Sequence, residues 1–162
     1  MSEAKFIQGE LPATRRRVVV IASRFNEFVV SGLVKGAIDA WEKNGGDVAD
    51  LVVARVPGAF ELPVVARQLA VSGRYEAIVA LGCVIRGETA HFEYVAGECA
   101  RGLQNVAVDT GVPVVFGVLA TETVEQALQR AAPGGSNKGG EAMETALEMA
   151  DLRLKLDALH VR

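Results

Sequence analysis

The sequence predicts a single three-layer αβα domain built on one parallel sheet of about four strands. Three observations carry that expectation. Apolar runs and helical stripes alternate along the chain, with no repeat and no linker between them. The runs Val18–Ala22 and Ala77–Leu81 contain no polar side chain, as a strand covered on both faces requires. The first three runs each lead into a turn containing Asn, Pro or Gly that opens the next helix, the pattern of βαβ crossovers.

A chain of 162 residues suits one domain, taken here as 1–162, with enough length for a sizeable core. Half the residues are apolar but only 6% aromatic, so packing must rest on Val, Leu, Ala and Ile. A net charge of −3 without an extended basic stripe argues against nucleic acid as a partner. The run Arg15–Arg16–Arg17 reads as the solvated approach to a strand rather than a binding patch. Cys83 and Cys99 stand alone, with neither metal-ligand spacing nor a disulfide framework. The first ten residues lack an apolar signal core, and no apolar run reaches the length of a membrane helix, about 18 residues. A cytoplasmic location is the expectation.

Residues 1–13 are polar with isolated apolar positions and are broken by Pro12; they would fray alone, or pair as an extended arm, taken as 1–14. Val18–Ala22 is a buried strand, and Asn26 is placed to cap the helix after it. That helix carries Val30, Leu33, Val34, Ala37, Ile38 and Trp41 at helical spacing and stops at Asn44–Gly45–Gly46. Val48–Val56 reads as a second strand, closed by Pro57–Gly58. Ala59–Pro63 opens a helix, with Pro63 tolerated in its first turn. After the central run comes a turn, then a helix from about Thr89 with Val95, Cys99, Leu103 and Val106 on one stripe. Val112–Ala120 is a fourth strand, and Thr123–Gln126 a capping box for a short helix. The Gly-rich loop Pro133–Gly140 leads into a last helix reaching about Leu159.

In open parallel sheets, ligands sit beyond the carboxyl ends of the strands. The residues there are Phe25 and Asn26; Ala59, Phe60 and Glu61; and Cys83 through Val84, Ile85, Gly87, Glu88 and Thr89 to His91, with Phe116 inside the last strand. Phe25, Phe60 and Phe116 suit a flat heterocycle, and Glu61 and Asn26 suit hydroxyls. Gly87–Glu88–Thr89 before a helix offers N–H groups and a hydroxyl to a phosphate. His91 is a candidate for proton transfer. Taken singly, each is ordinary: a core Phe, a turn with a cap, a surface His, solvated charges at Arg130, Lys138 and Glu141. The residues alone support an anion- and ring-binding α/β domain, enzyme or not.

The blocks SRFNEF, VPGAFELPVVA, ALGCVIRGETAHFEYV, GVPVVFGVLATETVEQALQRA and NKGGEAMETALEMADL, in this order, resemble lumazine synthase from about Val18 to Leu154. The resemblance implies a flavodoxin-like fold and a transferase of riboflavin biosynthesis, forming 6,7-dimethyl-8-ribityllumazine from 5-amino-6-(D-ribitylamino)uracil and 3,4-dihydroxy-2-butanone 4-phosphate, with no cofactor and no metal. It implies that Phe25 stacks on the pyrimidine, that Asn26 helps bind it, and that Ala59, Phe60 and Glu61 hold ring and ribityl chain. Cys83, Val84 and Ile85 would meet the pyrimidinedione. Gly87, Glu88 and Thr89 would take the phosphate, with His91 as the proton-transfer residue. Phe116 and Arg130 resemble residues that a neighbouring subunit contributes, and Lys138 and Glu141 a charged pair in support. Self-association into a homopentamer follows, with a dimer of pentamers or an icosahedral shell left open, and riboflavin synthase as a protein partner. Between Arg130 and Lys138 the chain reads AAPGGSN, where many relatives carry a lysine-bearing loop such as AGTKxGN; the altered Ala132–Ser136 chemistry leaves the assembly open. A non-catalytic flavin- or lumazine-binding protein, or a shell protein, on the same scaffold are the alternative readings.

Overall fold

The strands are Val18–Ser23 (β1), Val52–Val56 (β2), Ala77–Ile85 (β3) and Val114–Thr121 (β4). The helices are Glu27–Lys43 (α1), Leu62–Val71 (α2), His91–Thr110 (α3), Val124–Ala131 (α4) and Lys138–Leu159 (α5). They come from a computed structural model that describes residues 3–134 and 136–159. The sheet is wholly parallel in the order β2-β1-β3-β4. β1 is buried along its whole length and β3 along all but its last residue, as their unbroken apolar runs require, whereas the edge strands β2 and β4 are partly exposed.

Side chains of β1 alternate between two cores. Val18, Val20 and Ala22 pack with Leu33, Trp41, Met143 and Leu147 of α1 and α5. Val19 and Ile21 pack with Leu62, Ala66, Cys99 and Leu103 of α2 and α3. The result is three layers, with α1, α4 and α5 on one face and α2 and α3 on the other. The capping box at Thr123–Gln126 is present as expected.

Several boundaries differ from expectation: the fourth strand is Val114–Thr121 rather than Val112–Ala120, and α2 begins at Leu62 after a 3₁₀ turn at Ala59–Glu61. The second strand begins at Val52, because the Asp47 side chain accepts from the Ala49 amide and folds Val48–Asp50 into a 3₁₀ turn. The third helix begins at His91, so Gly87–Thr89 form a loop ahead of it rather than its first turn. No helix among the described residues is long and apolar enough to cross a membrane.

Residues 3–13 form neither helix nor strand, yet they are held against the body. The buried Asp151 accepts from the Glu10 amide (2.8 Å), from Arg16 Nη2 (2.7 Å) and from Lys155 Nζ (2.9 Å). Lys155 also donates to the Gln8 carbonyl at 3.0 Å. Arg16 is therefore an anchor rather than solvated charge, and Arg17 pairs with Glu76. Lys155 above all, with the Glu10 amide and Arg16, holds the Asp151 carboxyl down from 3.8 to about 2. A depressed carboxyl stabilises the fold fully above its unfolded value, and that stability is lost as pH falls through the folded one. Asp151→Asn should lower the melting temperature at neutral pH and flatten its decline between about pH 4 and pH 2. Parallel melting curves for variant and parent across that window would show that Asp151 is not the linked group.

Candidate active site

β1 sends the chain to β2 on one side of the sheet, while β3 sends it to β4 on the other. The crevice where the order reverses is where open α/β sheets place ligands. There the ends of β1, β2 and β3 enclose a cleft of about 760 Å³.

Its first wall is Phe25 and Asn26. β1 pairs with β3 only as far as Ala22 opposite Leu81, so the Cys83 carbonyl has no ladder partner on that side. Asn26 supplies one, its Nδ2 donating to that carbonyl at 2.9 Å from a left-handed backbone (φ 60°) that Asn tolerates. The expected side-chain cap on α1 is therefore absent; the Asn26 carbonyl instead accepts from Val29 and Val30. The second wall follows β2. The Arg24 and Phe25 amides donate to the Val56 and Pro57 carbonyls, and a 3₁₀ turn holds Ala59, Phe60 and Glu61 at the rim. Phe25 and Phe60 remain 71% and 59% exposed, apolar surface left uncovered by the described residues.

The third wall is the end of β3, where Cys83 and Val84 are buried and Ile85 half-buried. Burial pushes the Cys83 thiol up to about 11, so it stays protonated at neutral pH and is no nucleophile. Arg86 then braces the loop. Its amide donates to Thr121, Nε reaches Glu122 at 2.7 Å, Nη1 reaches Glu93 at 3.2 Å, and the guanidinium lies 4.5 Å from the Phe92 ring centre. Gly87 and Thr89 line the cleft, while Glu88 is exposed on the same loop outside the lining. The Thr89 hydroxyl accepts from the His91 amide at 3.3 Å, and His91 faces the cleft from the first position of α3.

The remaining candidates are elsewhere. Phe116 sits in the middle of the edge strand β4 opposite Ala80, Arg130 in the last turn of α4, and Lys138 and Glu141 in the first turn of α5. These four line a second cleft of about 420 Å³. Arg130 Nη1 donates back to the Gln126 carbonyl at 2.9 Å, and Lys138 pairs with Glu141 at 2.8 Å. One chain thus gathers the candidates into two separate groups.

Tyr94, not singled out from the sequence, and Val95, expected only on the inward stripe of the third helix, also line the first cleft. They stand three and four positions after His91 and so share its helix face, a signal the sequence did hold. Sequence reading passed over the braces Arg86 and Asn137, whose partners are distant in sequence. Among the described residues, no group of His, Cys, Asp and Glu is placed to hold a metal ion.

Known proteins bear on most of the chain. The family model described as 6,7-dimethyl-8-ribityllumazine synthase matches residues 15–153. A 6,7-dimethyl-8-ribityllumazine synthase from Syntrophus aciditrophicus is 52% identical over 90% of this chain and 94% of its own. One from Edwardsiella ictaluri is 57% identical over 91% of this chain and 96% of its own. A GDP-L-fucose synthetase structure from Naegleria fowleri overlaps 97% of this chain and 50% of its own, at 12% identity and a TM-score of 0.43, too low to bear on fold or function. With the match running from just before β1 through most of α5, the chain belongs to the 6,7-dimethyl-8-ribityllumazine synthase family.

Proposed function

We propose that this chain condenses 5-amino-6-(D-ribitylamino)uracil with 3,4-dihydroxy-2-butanone 4-phosphate, releasing 6,7-dimethyl-8-ribityllumazine, phosphate and water. The observation that carries the reading is the division of the candidate residues between two separate clefts of one chain. Brought together at a subunit junction, they make one site. Phe25 stacks on the pyrimidine, Asn26, Ala59, Phe60 and Glu61 meet the ring and ribityl chain, and the β3 end from Cys83 to Ile85 borders the pyrimidinedione. Gly87, Glu88 and Thr89 take the phosphate, with Arg130 from the neighbour gripping it and Phe116 closing the ring pocket. Lys138 and Glu141 support that arginine.

The primary amine attacks the ketone and water leaves to give an imine; phosphate is eliminated and the resulting enol tautomerises to a ketone; the second nitrogen attacks that carbonyl, and a second water leaves as the ring closes. Most of the barrier is met by holding the two substrates in register and by moving protons. His91, facing the cleft, carries those protons. The exposed Phe25, Phe60 and Phe116 fit burial in a homopentamer, and a cytoplasmic enzyme of one domain with residues 1–14 as an arm completes the proposal. Larger assembly and an association with riboflavin synthase belong to the same reading.

Mixing the two substrates with the protein and following lumazine absorbance tests it. No product above the uncatalysed rate would leave a ring-binding or shell-forming protein on this scaffold. Arg130→Ala should raise KM for the butanone phosphate roughly tenfold or more, because a guanidinium binds phosphate through paired charge-assisted hydrogen bonds. KM for the uracil should change far less. Equal weakening of both substrates would assign Arg130 to the fold or the junction instead.

A further inference from the structure

Asn137 is buried at the start of α5, and its carboxamide joins three segments of chain. Nδ2 faces the carbonyls of Ala131 (2.9 Å), Gly32 (3.0 Å) and Ala132 (3.1 Å), so its two hydrogens are shared among them. Oδ1 accepts from the Gly139 and Gly140 amides at 2.8 and 3.1 Å, capping α5. The Asn137 carbonyl accepts from Glu141. The packing around it leaves no slack: a Cβ at Gly36 would collide with the Asn137 carboxamide, and one at Gly139 with the Leu33 carbonyl.

The placement of these contacts matters more than their number. Ala131 and Ala132 directly follow Arg130, and Gly139 directly follows Lys138. One side chain therefore ties the end of α4 to the start of α5 and sets the offset of Arg130 from Lys138 and Glu141 across the second cleft.

We infer that Asn137 is a positioning residue for phosphate recognition, acting through Arg130 and resting on the proposed role of that arginine. It touches no substrate. A simple requirement for folding would lower stability or the amount of active rings, whereas positioning acts on one substrate only.

The test is a double-mutant cycle of Asn137→Ser with Arg130→Ala, read as KM for each substrate and as the inhibition constant of inorganic phosphate. Serine keeps an oxygen that can cap α5 and removes the donor that holds Ala131 and Ala132. Asn137→Asp is the second variant, keeping the cap acceptor while turning a carboxylate onto those carbonyls. Expected is a roughly tenfold rise in KM for the butanone phosphate and in the phosphate inhibition constant, since small misplacements cost that much or more. KM for the uracil should hold steady, and the double variant should be little worse than Arg130→Ala alone. Additive effects, unchanged constants, or an equal rise for both substrates would overturn the assignment, as would failure of both variants to fold, which would make Asn137 a folding residue. Arg130→Ala without effect on the butanone phosphate would instead sink the phosphate site itself, and this inference with it.

Discussion

Rings refolded from an equal mixture of His91→Ala and Arg130→Ala subunits should recover about one quarter of full activity, the share of junctions that random assortment around a closed ring leaves intact. His91 and Arg130 line different clefts of one chain. In the proposed site they meet only when one subunit's β3–α3 loop faces its neighbour's α4. A ring of either parent carries a damaged side at every junction. In a mixed ring, an Arg130→Ala subunit with its native His91 can face a His91→Ala subunit with its native Arg130, and that junction is complete. With His91→Ala down by about 10²-fold and Arg130→Ala by about tenfold when the butanone phosphate is limiting, the recovery is roughly 25-fold over the first parent and roughly two- to threefold over the second. The variants would be unfolded, mixed and refolded, light scattering would confirm the rings, and lumazine formation would report activity. Re-formed rings no better than the average of the parents would place the whole pocket within one chain.

His91→Ala alone should lower kcat by about 10²-fold, at the modest end of what a positioned acid–base group supplies. KM for either substrate should move little, because neither the aromatic walls nor the phosphate loop depends on the imidazole. Its amide is tied to the Thr89 hydroxyl through the backbone, so the loop keeps that contact in the variant. An altered KM with kcat intact would remove His91 from proton transfer and make it a binding residue.

What was legible in the sequence came from short-range rules. Val18–Ala22 and Ala77–Leu81 announced central strands because a strand covered on both faces tolerates no polar side chain, and those strands are buried where expected. Thr123 and Gln126 announced their helix because a capping box is complete within four residues. The walls of the first cleft followed from a parallel sheet, which brings every strand's carboxyl end to one edge. Asn26 shows the limit of such rules. Its type and place fit a helix cap, but an unpaired carbonyl on β3 draws its side chain away, and strand pairing is invisible one residue at a time.

The sequence by itself determined the parallel three-layer sheet, the order of its elements and the residues at the strand ends, because hydrophobic period and turn chemistry are written locally. The tertiary structure gathered Phe116, Arg130, Lys138 and Glu141 into one cleft apart from Phe25 and His91, a separation that the family resemblance had implied for Phe116 and Arg130. Only it showed that Asp151 anchors the arm, that Arg86 braces the loop before α3, and that Asn137 locks α4 to α5. Each of these joins a side chain to groups whose proximity is created by the folding of the intervening chain, and no local pattern encodes that proximity.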